Sequence, residues 1–414
     1  MYDLISMGKC ARRAARLLAV SSTTTRNNAL VAISRALRAA VPQLLEANRL
    51  DLDNARRGGM RDAMLDRLAL DATRIEGMAA ATEELIALPD PVGVVESGSM
   101  RPNGLQILKT RVPFGVIALI YEARPNVTVD AAALCLKSGN ACLLRGGSEA
   151  FATNRALAAL MRTALEEVGL PSDCIGLVED TSRDTAARLM KLNGYVDLLI
   201  PRGGANLIKT VVETATVPVI ETGVGNCHLY VDRAADIEMA VRIVNNAKTS
   251  RPSVCNALET VLVHRDVATV FLPKMKAALD QHNVELRGCP ETRKILKSAT
   301  PASEEDWATE FLDYILAVKV VHSLEEAVEH ISRYSTGHSE GIVTGDLDAS
   351  RKFVACVDAA AVYVNASTRF TDGGMFGLGA EIGISTQKLH ARGPMGLHEL
   401  TCIKYVINGD GQVR

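Results

Sequence analysis

The sequence is poor in aromatic side chains: Phe, Trp and Tyr make up 4% of its 414 residues. It therefore shows no stacking platform for nucleic acid, and a formal net charge of −2 gives no electrostatic reason to expect nucleic acid or an anionic membrane as a partner. No apolar run approaches membrane-spanning length. The nine cysteines contain no CxxC pair, which argues against a disulfide framework and a zinc ribbon, and no metal site is expected. Reduced thiols fit a cytoplasmic protein.

Short apolar runs alternating with helical runs begin at Gly115 and predict an α/β protein whose parallel sheets are covered on both faces. The length suggests two large lobes. In the first lobe the candidate strands are residues 116–121, 141–144, 174–178, 196–200 and 217–220. In the second they are residues 258–263, 315–321, 341–344 and 361–364.

The two ends of the chain do not follow this alternation of strands and helices. Residues 2–88 follow a helical pattern that Pro89 to Pro91 end, and we expect these helices to pack on the later sheet. Charges interrupt the first apolar run, so this end is read as an amphipathic helix rather than an export signal. Residues 92–112 predict a hairpin, and residues 400–407 predict a further strand that needs a partner.

One cysteine stands out by its position. Apolar side chains at three- and four-residue spacing in 237–247 predict a helix that ends near 249–252, and residues 258–263 predict a strand. Cys255 therefore falls in a loop where a thiol can face a cleft, with Lys248 and Arg251 close enough in sequence to lower its pKa. A thiolate there would be a strong nucleophile. A buried structural cysteine is the alternative.

Two long segments carry a resemblance that extends over nearly the whole chain. Residues 248–260, KTSRPSVCNALET, resemble the nucleophile segment of the gamma-glutamyl phosphate reductase family, a branch of the aldehyde dehydrogenase superfamily. Residues 321–342, VHSLEEAVEHISRYSTGHSEGI, resemble that family's second signature. The resemblance implies an α/β, aldehyde dehydrogenase-like fold with two doubly wound parallel-sheet lobes and an oligomerisation arm made of a β-hairpin and the C-terminal segment.

The same resemblance implies a domain division. An NADP-binding domain would comprise residues 1–98 and 113–228, with 369–390 returning to it. A catalytic domain carrying Cys255 would comprise 229–368, and the arm 99–112 and 391–414. The alternative for the arm is an edge hairpin that stays within one subunit.

The implied activity is that of an NADP-dependent acyl-phosphate reductase. It would reduce L-glutamyl 5-phosphate to L-glutamate 5-semialdehyde with NADPH, releasing phosphate through a thioester on Cys255, as the second step of proline biosynthesis from glutamate. The family also implies a homo-oligomer, expected to be a dimer, and the lability of the acyl phosphate favours association with glutamate 5-kinase. Two alternatives stay open: a hydrolytic aldehyde dehydrogenase, and a non-catalytic nucleotide-binding protein of the same fold.

Catalytic roles carry over to two residues besides Cys255. Glu221 matches the superfamily glutamate that activates water; because an acyl-phosphate reductase needs no hydrolysis, Glu221 either tunes proton transfer or orders its loop. Residues 122–126, EARPN, depart from the superfamily's Trp-Asn-Phe-Pro. Asn126 would donate to the oxyanion beside the Cys255 backbone N–H, and it also suits the N-cap of the helix that follows.

Substrate binding is expected to involve arginine. Arg124 and Arg251 are the leading candidates for the phosphate and the substrate carboxylate, and the sequence leaves open which binds which. His338, in the second family signature, is a further substrate-binding candidate, with a structural hydrogen bond as the alternative.

The cofactor is expected at strand ends, because no GxGxxG motif follows the first strand, and the similar string at 377–380 suggests a structural turn. Arg145, Gly147 and Ser148 match the strand end that holds the adenosine ribose in the superfamily, and an arginine fork suits a 2′-phosphate, which favours NADPH. Gly203 and Gly204 open a helix and suit the pyrophosphate.

The nicotinamide end of the cofactor is expected near Glu310. This residue lies where the superfamily's nicotinamide-ribose glutamate falls. Asp313 competes for the same role, and a solvated helix end is the alternative.

Overall fold

The computed structural model describes residues 3–122 and 124–414. Tyr2, the expected start of the helical region, and Ala123, within the EARPN segment, lie outside the described residues. The chain divides into two compact units. Unit 1 runs to Thr222 and also contains Gly377–Gly383 and Met395–Arg414, whereas unit 2 contains Gly223–Phe376 and Ile384–Pro394. This division differs from the expected return of 369–390 to the first lobe.

Unit 1 contains the N-terminal helices and a first set of strands. Its helices are α1 (Leu4–Ala19), α2 (Thr23–Ala39), α3 (Val41–Arg57), α4 (Asp62–Leu68), α5 (Ala72–Ala87), α6 (Asn126–Lys137), α7 (Phe151–Glu167), α8 (Arg183–Leu189) and α9 (Ala205–Thr214). The strands that precede Thr222 in this unit are β1 (Val95–Met100), β2 (Gln106–Pro113), β3 (Val116–Tyr121), β4 (Ala141–Arg145), β5 (Ile175–Leu177) and β6 (Leu198–Arg202).

Strands β3 to β6 form the parallel sheet of unit 1, in the order β5-β4-β3-β6. Every residue of β3 is buried, as expected of a strand covered on both faces. Helix α1 packs directly on this sheet, whereas the main contacts of α2, α3 and α5 are with one another and with α6 and α7, so the expected packing on the sheet is confirmed for α1. The strand predicted at 217–220 is a single bridge between Leu199 and Val219, because Pro218 removes a ladder donor.

Unit 2 contains a second parallel sheet. Its strands are β7 (Cys227–Val231), β8 (Leu258–His264), β9 (Glu285–Gly288), β10 (Thr300–Pro301), β11 (Ile315–Val321), β12 (Ser339–Val343) and β13 (Ala361–Val364), with a small pair β14 (Ile384–Ser385) and β15 (Gly393–Pro394). Its helices are α10 (Ile237–Thr249), α11 (Arg265–Leu279), α12 (Pro290–Ile295), α13 (Leu324–Tyr334) and α14 (Leu347–Cys356). The sheet order is β10-β9-β11-β8-β7-β12-β13.

The core of unit 2 lies where its central strands meet α10 and α11. Leu229 of β7, Val261 of β8 and Val318 of β11 are fully buried there. Helix α10 begins after Asp236, whose carboxylate accepts the Met239 N–H at 2.9 Å. The expected pair of parallel α/β sheets is therefore confirmed, although β7 was not among the predicted strands.

The predicted hairpin and the C-terminal segment pair with each other. Strand β16 (Thr401–Asn408) completes an antiparallel sheet of order β1-β2-β16, in register from Thr401 opposite Pro113 to Asn408 opposite Gln106. All residues of β1 are exposed. The sheet is confirmed, and its role as an oligomerisation arm stays a prediction. Within 3–122 and 124–414, no helix is both long and apolar enough to cross a membrane.

Candidate active site

Cys255 lies on a turn between α10 and β8 and is half-buried. The helix ends at Thr249 and the strand begins at Leu258, so both boundaries predicted around this cysteine are confirmed. A turn at this junction holds the sulfur at the end of a rigid strand. That placement suits a nucleophile better than a position within the hydrocarbon core.

The backbone carbonyl of Cys255 is held from the β7 side. The Cys227 thiol donates to this oxygen with a sulfur–oxygen distance of 3.2 Å. Burial raises the pKa of Cys227 well above its usual range, so this second thiol stays protonated and acts as a donor. Gly225 packs on the same carbonyl so closely that a Cβ at position 225 would fall 1.5 Å from the oxygen. The turn is therefore fixed by residues that precede and begin β7.

Asn256 ties the Cys255 turn to the segment that follows β13. Its Nδ2 donates to the carbonyls of Thr371 at 2.8 Å and Arg369 at 3.2 Å. Its own carbonyl accepts from the Thr368 hydroxyl at 2.7 Å. The Arg369 guanidinium donates to Asn256 Oδ1. These bonds bring residues 368–371 beside the nucleophile.

Arg369 is the functional candidate that the sequence reasoning missed. Its Nε donates to Ser250 Oγ at 3.0 Å. Burial lowers the pKa of Arg369, and the positive charge of Arg251 lowers it further, whereas Asp372 and the Cys255 and Cys227 sulfurs oppose the shift. Arg251 and the Cys255 sulfur therefore both lie within electrostatic range of the Arg369 guanidinium. The available signal was the polar run directly after a strand end, since ligands bind at such ends in open α/β sheets.

Lys248, which was expected to lower the pKa of the Cys255 thiol, forms an ion pair with a buried carboxylate, and its effect on the thiol stays a prediction. Its ammonium forms a 2.6 Å ion pair with Glu259, and both side chains are fully buried. Burial lowers the pKa of Lys248, while the Glu259 carboxylate opposes that shift. The other oxygen of Glu259 accepts the Leu312 N–H at 3.3 Å. The pair therefore holds the end of α10, the start of β8 and the loop after Trp307 together.

Glu310 lies in that loop and not at a solvated helix end, so this alternative is wrong. Its carboxylate accepts the Gly225 N–H at 2.9 Å. Burial raises the pKa of Glu310. Asp313 is exposed. Glu310 is thus joined, through Gly225, to the backbone that packs on Cys255.

His338 is fully buried within unit 2. Its Nδ1 lies 2.8 Å from Ser339 Oγ and 3.9 Å from Cys227 Sγ. The Ser339 hydroxyl in turn lies 2.7 Å from Thr371 Oγ1. The geometry favours the structural role of His338 over direct contact with substrate, because its ring is enclosed by side chains that support the Cys255 turn.

Asn126 is the first residue of α6 and is exposed. Pro125 occupies the N-cap position without a side-chain hydrogen bond, so the N-cap alternative for Asn126 is wrong. The Asn126 Nδ2 instead donates to Asp130 at 2.9 Å. Burial raises the pKa of Asp130 to about 6. An amide nitrogen carries two N–H groups, so this bond orients the side chain without using both donors.

Two further predicted residues lie in loops of unit 1. Arg124 precedes α6 and is half-buried. Glu221 is half-buried in the extended chain that follows the bridge at Val219. Both residues therefore lie in segments that follow strands or bridges of the parallel sheet, Arg124 after β3 and Glu221 after Val219.

Arg145 ends β4, at the edge where the predicted adenosine site begins. Its guanidinium donates to the carbonyls of Thr181 and, at 3.4 Å, Ser182. Burial lowers the pKa of Arg145. At Gly147 a Cβ would meet a carboxylate oxygen of Glu149 at 2.3 Å, so a larger residue there would require the Glu149 side chain to move. Ser148 follows, beginning a short 3₁₀ turn.

Gly203 and Gly204 form the entry to α9, at the end of β6. The Gly204 N–H donates to Glu122 Oε2 at 2.9 Å. The space beside Gly204 is otherwise open: among the described residues, a Cβ there would meet only that oxygen within 4 Å. The parallel strands bring this loop and the Arg145 loop to the same edge of the sheet. The residues fit a nucleotide phosphate there, with the Glu122 carboxylate in competition for one N–H.

Comparison with known proteins supports a family assignment. A model of the aldehyde dehydrogenase family matches residues 3–293. An acetylating aldehyde dehydrogenase from Geobacillus thermoglucosidasius has the same fold, with a TM-score of 0.72 at 18% identity, covering 99% of this chain and 97% of that one. The chain belongs to the aldehyde dehydrogenase family.

Closer relatives narrow the assignment. Gamma-glutamyl phosphate reductase of Moorella thermoacetica is 60% identical over 412 residues, covering 100% of this chain and 99% of that protein. The crystal structure of gamma-glutamyl phosphate reductase from Thermotoga maritima superposes with a TM-score of 0.98 at 50% identity and covers 100% of both chains. Within its family the chain belongs with these gamma-glutamyl phosphate reductases, which confirms the expected oxidoreductase class.

Proposed function

We propose that this protein reduces L-glutamyl 5-phosphate to L-glutamate 5-semialdehyde with NADPH and releases phosphate, as the second step of proline biosynthesis from glutamate. The position of Cys255 carries this proposal: the residue is half-buried and lies on a turn held by Gly225, Cys227 and Asn256. The name shared by the close relatives supports this choice of substrate.

The first chemical stage forms a thioester. The Cys255 thiolate attacks the acyl carbon, and the carbonyl electron pair moves onto oxygen. The Cys255 backbone N–H and Asn126 Nδ2 donate to this oxyanion, while Asp130 holds the Asn126 amide in place. When the carbonyl re-forms, the carbon–oxygen bond to phosphate breaks and phosphate leaves with its electron pair.

The second stage releases the aldehyde. When bound, NADPH supplies a hydride to the acyl carbon. The chain keeps that carbon bonded to Cys255 until the oxygen electron pair re-forms the carbonyl and the carbon–sulfur bond breaks, which restores the thiolate. No water attacks the thioester, so we assign Glu221 to proton movement or to ordering its loop. Arg124 and Arg251 bind the anionic groups of the substrate.

We assign the cofactor to the carboxyl edge of the unit 1 sheet. Arg145, Gly147 and Ser148 would hold the adenosine end, with the Arg145 fork on the 2′-phosphate. Gly203 and Gly204 would hold the pyrophosphate through backbone N–H groups. We assign Glu310 to the nicotinamide ribose.

The β1-β2-β16 sheet supports a homo-oligomer, for which we propose a dimer. Strand β1 is an exposed edge, and large apolar side chains stand on the surface of this sheet: Val95, Met100, Tyr405 and Ile407. An exposed apolar edge favours pairing with another chain. A cytoplasmic location and association with glutamate 5-kinase complete the proposal, because a labile acyl phosphate benefits from direct transfer.

The reaction run in reverse tests this function. We expect NADP reduction by the semialdehyde to require inorganic phosphate, and Cys255→Ala to abolish it. Turnover that is independent of phosphate but lost in Glu221→Gln would instead indicate a hydrolytic aldehyde dehydrogenase. Absence of turnover, with slow alkylation of Cys255 whether or not NADPH is bound, would indicate a non-catalytic nucleotide-binding protein.

A further inference from the structure

Arg369 reaches the nucleophile from a distant part of the chain. It lies 113 residues after Asn256, yet its guanidinium and its backbone carbonyl both hydrogen-bond to that side chain. We infer that Arg369, assisted by Arg251, binds the phosphoryl group of the substrate, and binds inorganic phosphate when the reaction runs in reverse. The inference rests on the proposed function and adds a residue to it.

The hydrogen bonds of Arg369 fix its guanidinium over the Cys255 turn. Nε donates to the hydroxyl of Ser250, which precedes the turn, and another nitrogen donates to Oδ1 of Asn256, which follows Cys255 directly. The anchor points therefore bracket the nucleophile. A side chain held at both ends of the turn is pre-organised to receive an anion beside the sulfur.

The charges around Arg369 favour an anionic ligand. The positive charge of Arg251 acts on Arg369, whose guanidinium is partly removed from solvent. The neighbouring carboxylate, Asp372, accepts the N–H groups of Gly374 at 3.0 Å and Met375 at 3.2 Å and so caps a turn. A phosphoryl dianion placed against both guanidinium groups would replace their repulsion by attraction.

The chemistry of the substrate selects the phosphoryl group over the carboxylate. The phosphorus is joined through one bridging oxygen to the acyl carbon that Cys255 attacks, whereas the α-carboxylate lies at the far end of the glutamyl chain. The hydrogen bonds to Ser250 and Asn256 hold the Arg369 guanidinium at the turn that carries Cys255, beside the end of the substrate from which phosphate would leave. Its planar fork also matches two phosphate oxygens at once.

The test uses the full-length enzyme in the phosphate-dependent direction. We expect Arg369→Gln to raise the KM for phosphate about 10- to 100-fold, the loss typical of a charge-assisted pair, while the KM for the semialdehyde changes less than about twofold. Arg369→Lys should restore part of the phosphate affinity, because it keeps the charge and loses the fork. Arg333→Gln, which removes an exposed arginine paired with Glu304, is the matched control and should leave both constants unchanged.

A second measurement separates ligand binding from a merely structural role. Phosphate should slow the alkylation of Cys255 by iodoacetamide in the wild-type enzyme, and this protection should be lost in Arg369→Gln. If that variant does not fold, as judged by its thermal midpoint, Arg369→Lys carries the test and should still show a raised phosphate KM with an unchanged semialdehyde KM. An unchanged phosphate KM, or a raised KM for the semialdehyde alone, would overturn the assignment.

The outcomes distinguish this inference from the proposed function. Wild-type turnover without phosphate would reject the proposed function itself, and with it a phosphate site. Phosphate-dependent wild-type turnover that Arg369→Gln leaves unaltered would keep the function and reject the role of Arg369.

Discussion

The backbone of Gly225 packs directly on the carbonyl of Cys255, leaving no space for a side chain: a Cβ at position 225 would lie 1.5 Å from that oxygen. The same glycine donates its N–H to Glu310 at 2.9 Å. One residue therefore sets the position of the nucleophile turn and holds the loop that carries a candidate cofactor ligand. Both interactions lie in unit 2.

Gly225→Ala should lower kcat by about 10²-fold, because displacing the Cys255 turn by about 1 Å misaligns the sulfur. Steady-state kinetics with phosphate and semialdehyde at saturation would measure this loss. Gly77→Ala is the control: a Cβ at this exposed glycine of α5 would meet nothing within 4 Å among the described residues. It should leave kcat unchanged. Equal kcat in Gly225→Ala and the wild type would contradict the role of this contact.

Removing one partner of the buried Lys248–Glu259 pair should destabilise the protein, and removing both should restore most of its stability. Lys248→Met alone leaves the Glu259 carboxylate buried without its cation and should lower the free energy of unfolding by about 3–5 kcal/mol. Lys248→Met combined with Glu259→Leu should recover most of that loss, since a well-packed apolar pair replaces the charges. Urea unfolding of the wild type, the single variant and the double variant measures both the loss and the recovery. A double variant no more stable than the single one would show that the pair has another role.

His330 predicts a pH dependence of stability. Burial, followed by the charges of His228, Lys319 and Arg333, lowers the pKa of His330 from 6.5 to about 2. The folded protein keeps this ring neutral while the unfolded chain protonates it, so its contribution is fully present above pH 6.5 and is lost between pH 6.5 and about 2. The free energy of unfolding should fall from this source by about 1.4 kcal/mol per pH unit in that window.

The His330→Phe variant isolates this contribution, because other groups titrate in the same range. Phenylalanine keeps the ring that packs against Trp307 and Tyr334. Urea unfolding at pH 7.5 and 5.5 should show a smaller loss of stability for His330→Phe than for the wild type. The control variant His282→Gln, at an exposed residue, should lose as much stability between these two pH values as the wild type does. Parallel pH profiles for His330→Phe and the wild type would refute the assignment.

The Glu122 carboxylate is expected to compete with the cofactor for the Gly204 N–H. Its carboxylate accepts the Gly204 N–H at the start of α9, where we place the pyrophosphate. Glu122→Gln removes a negative charge from the helix N-terminus, and the dissociation constant for NADPH should fall about two- to fivefold, the scale of a charge–dipole interaction. Fluorescence titration of NADPH measures it, with the exposed Glu84→Gln as control. Unchanged or weaker binding would argue against a pyrophosphate at Gly204.

Local patterns predicted the elements around the nucleophile, and long-range contacts explain what they missed. The spacing of apolar residues placed the end of α10 and the start of β8 correctly, because both depend on neighbouring residues. Strand β7 was not predicted because His228 interrupts its apolar run, and that side chain is stabilised by Glu340 of β12 at 3.1 Å. Arg369 was missed for a similar reason, since its partner Asn256 is distant in sequence.

The partner of the Lys248 charge was also not predictable from neighbouring residues. Its closeness to Cys255 in sequence suggested that it lowers the thiol pKa, but the fold turns its ammonium inward to Glu259. A side-chain direction at the end of a helix depends on which element packs above it, and the sequence does not contain that information in its local pattern.

A burst experiment tests the central claim, that hydride transfer occurs on a carbon bonded to Cys255. The enzyme is mixed rapidly with NADP and the semialdehyde in the absence of phosphate, and NADPH formation is followed by absorbance. The account predicts about one equivalent of NADPH per active site and then a halt, with turnover resuming when phosphate is added and no burst in Cys255→Ala. Continued turnover without phosphate, or an equal burst in Cys255→Ala, would contradict it.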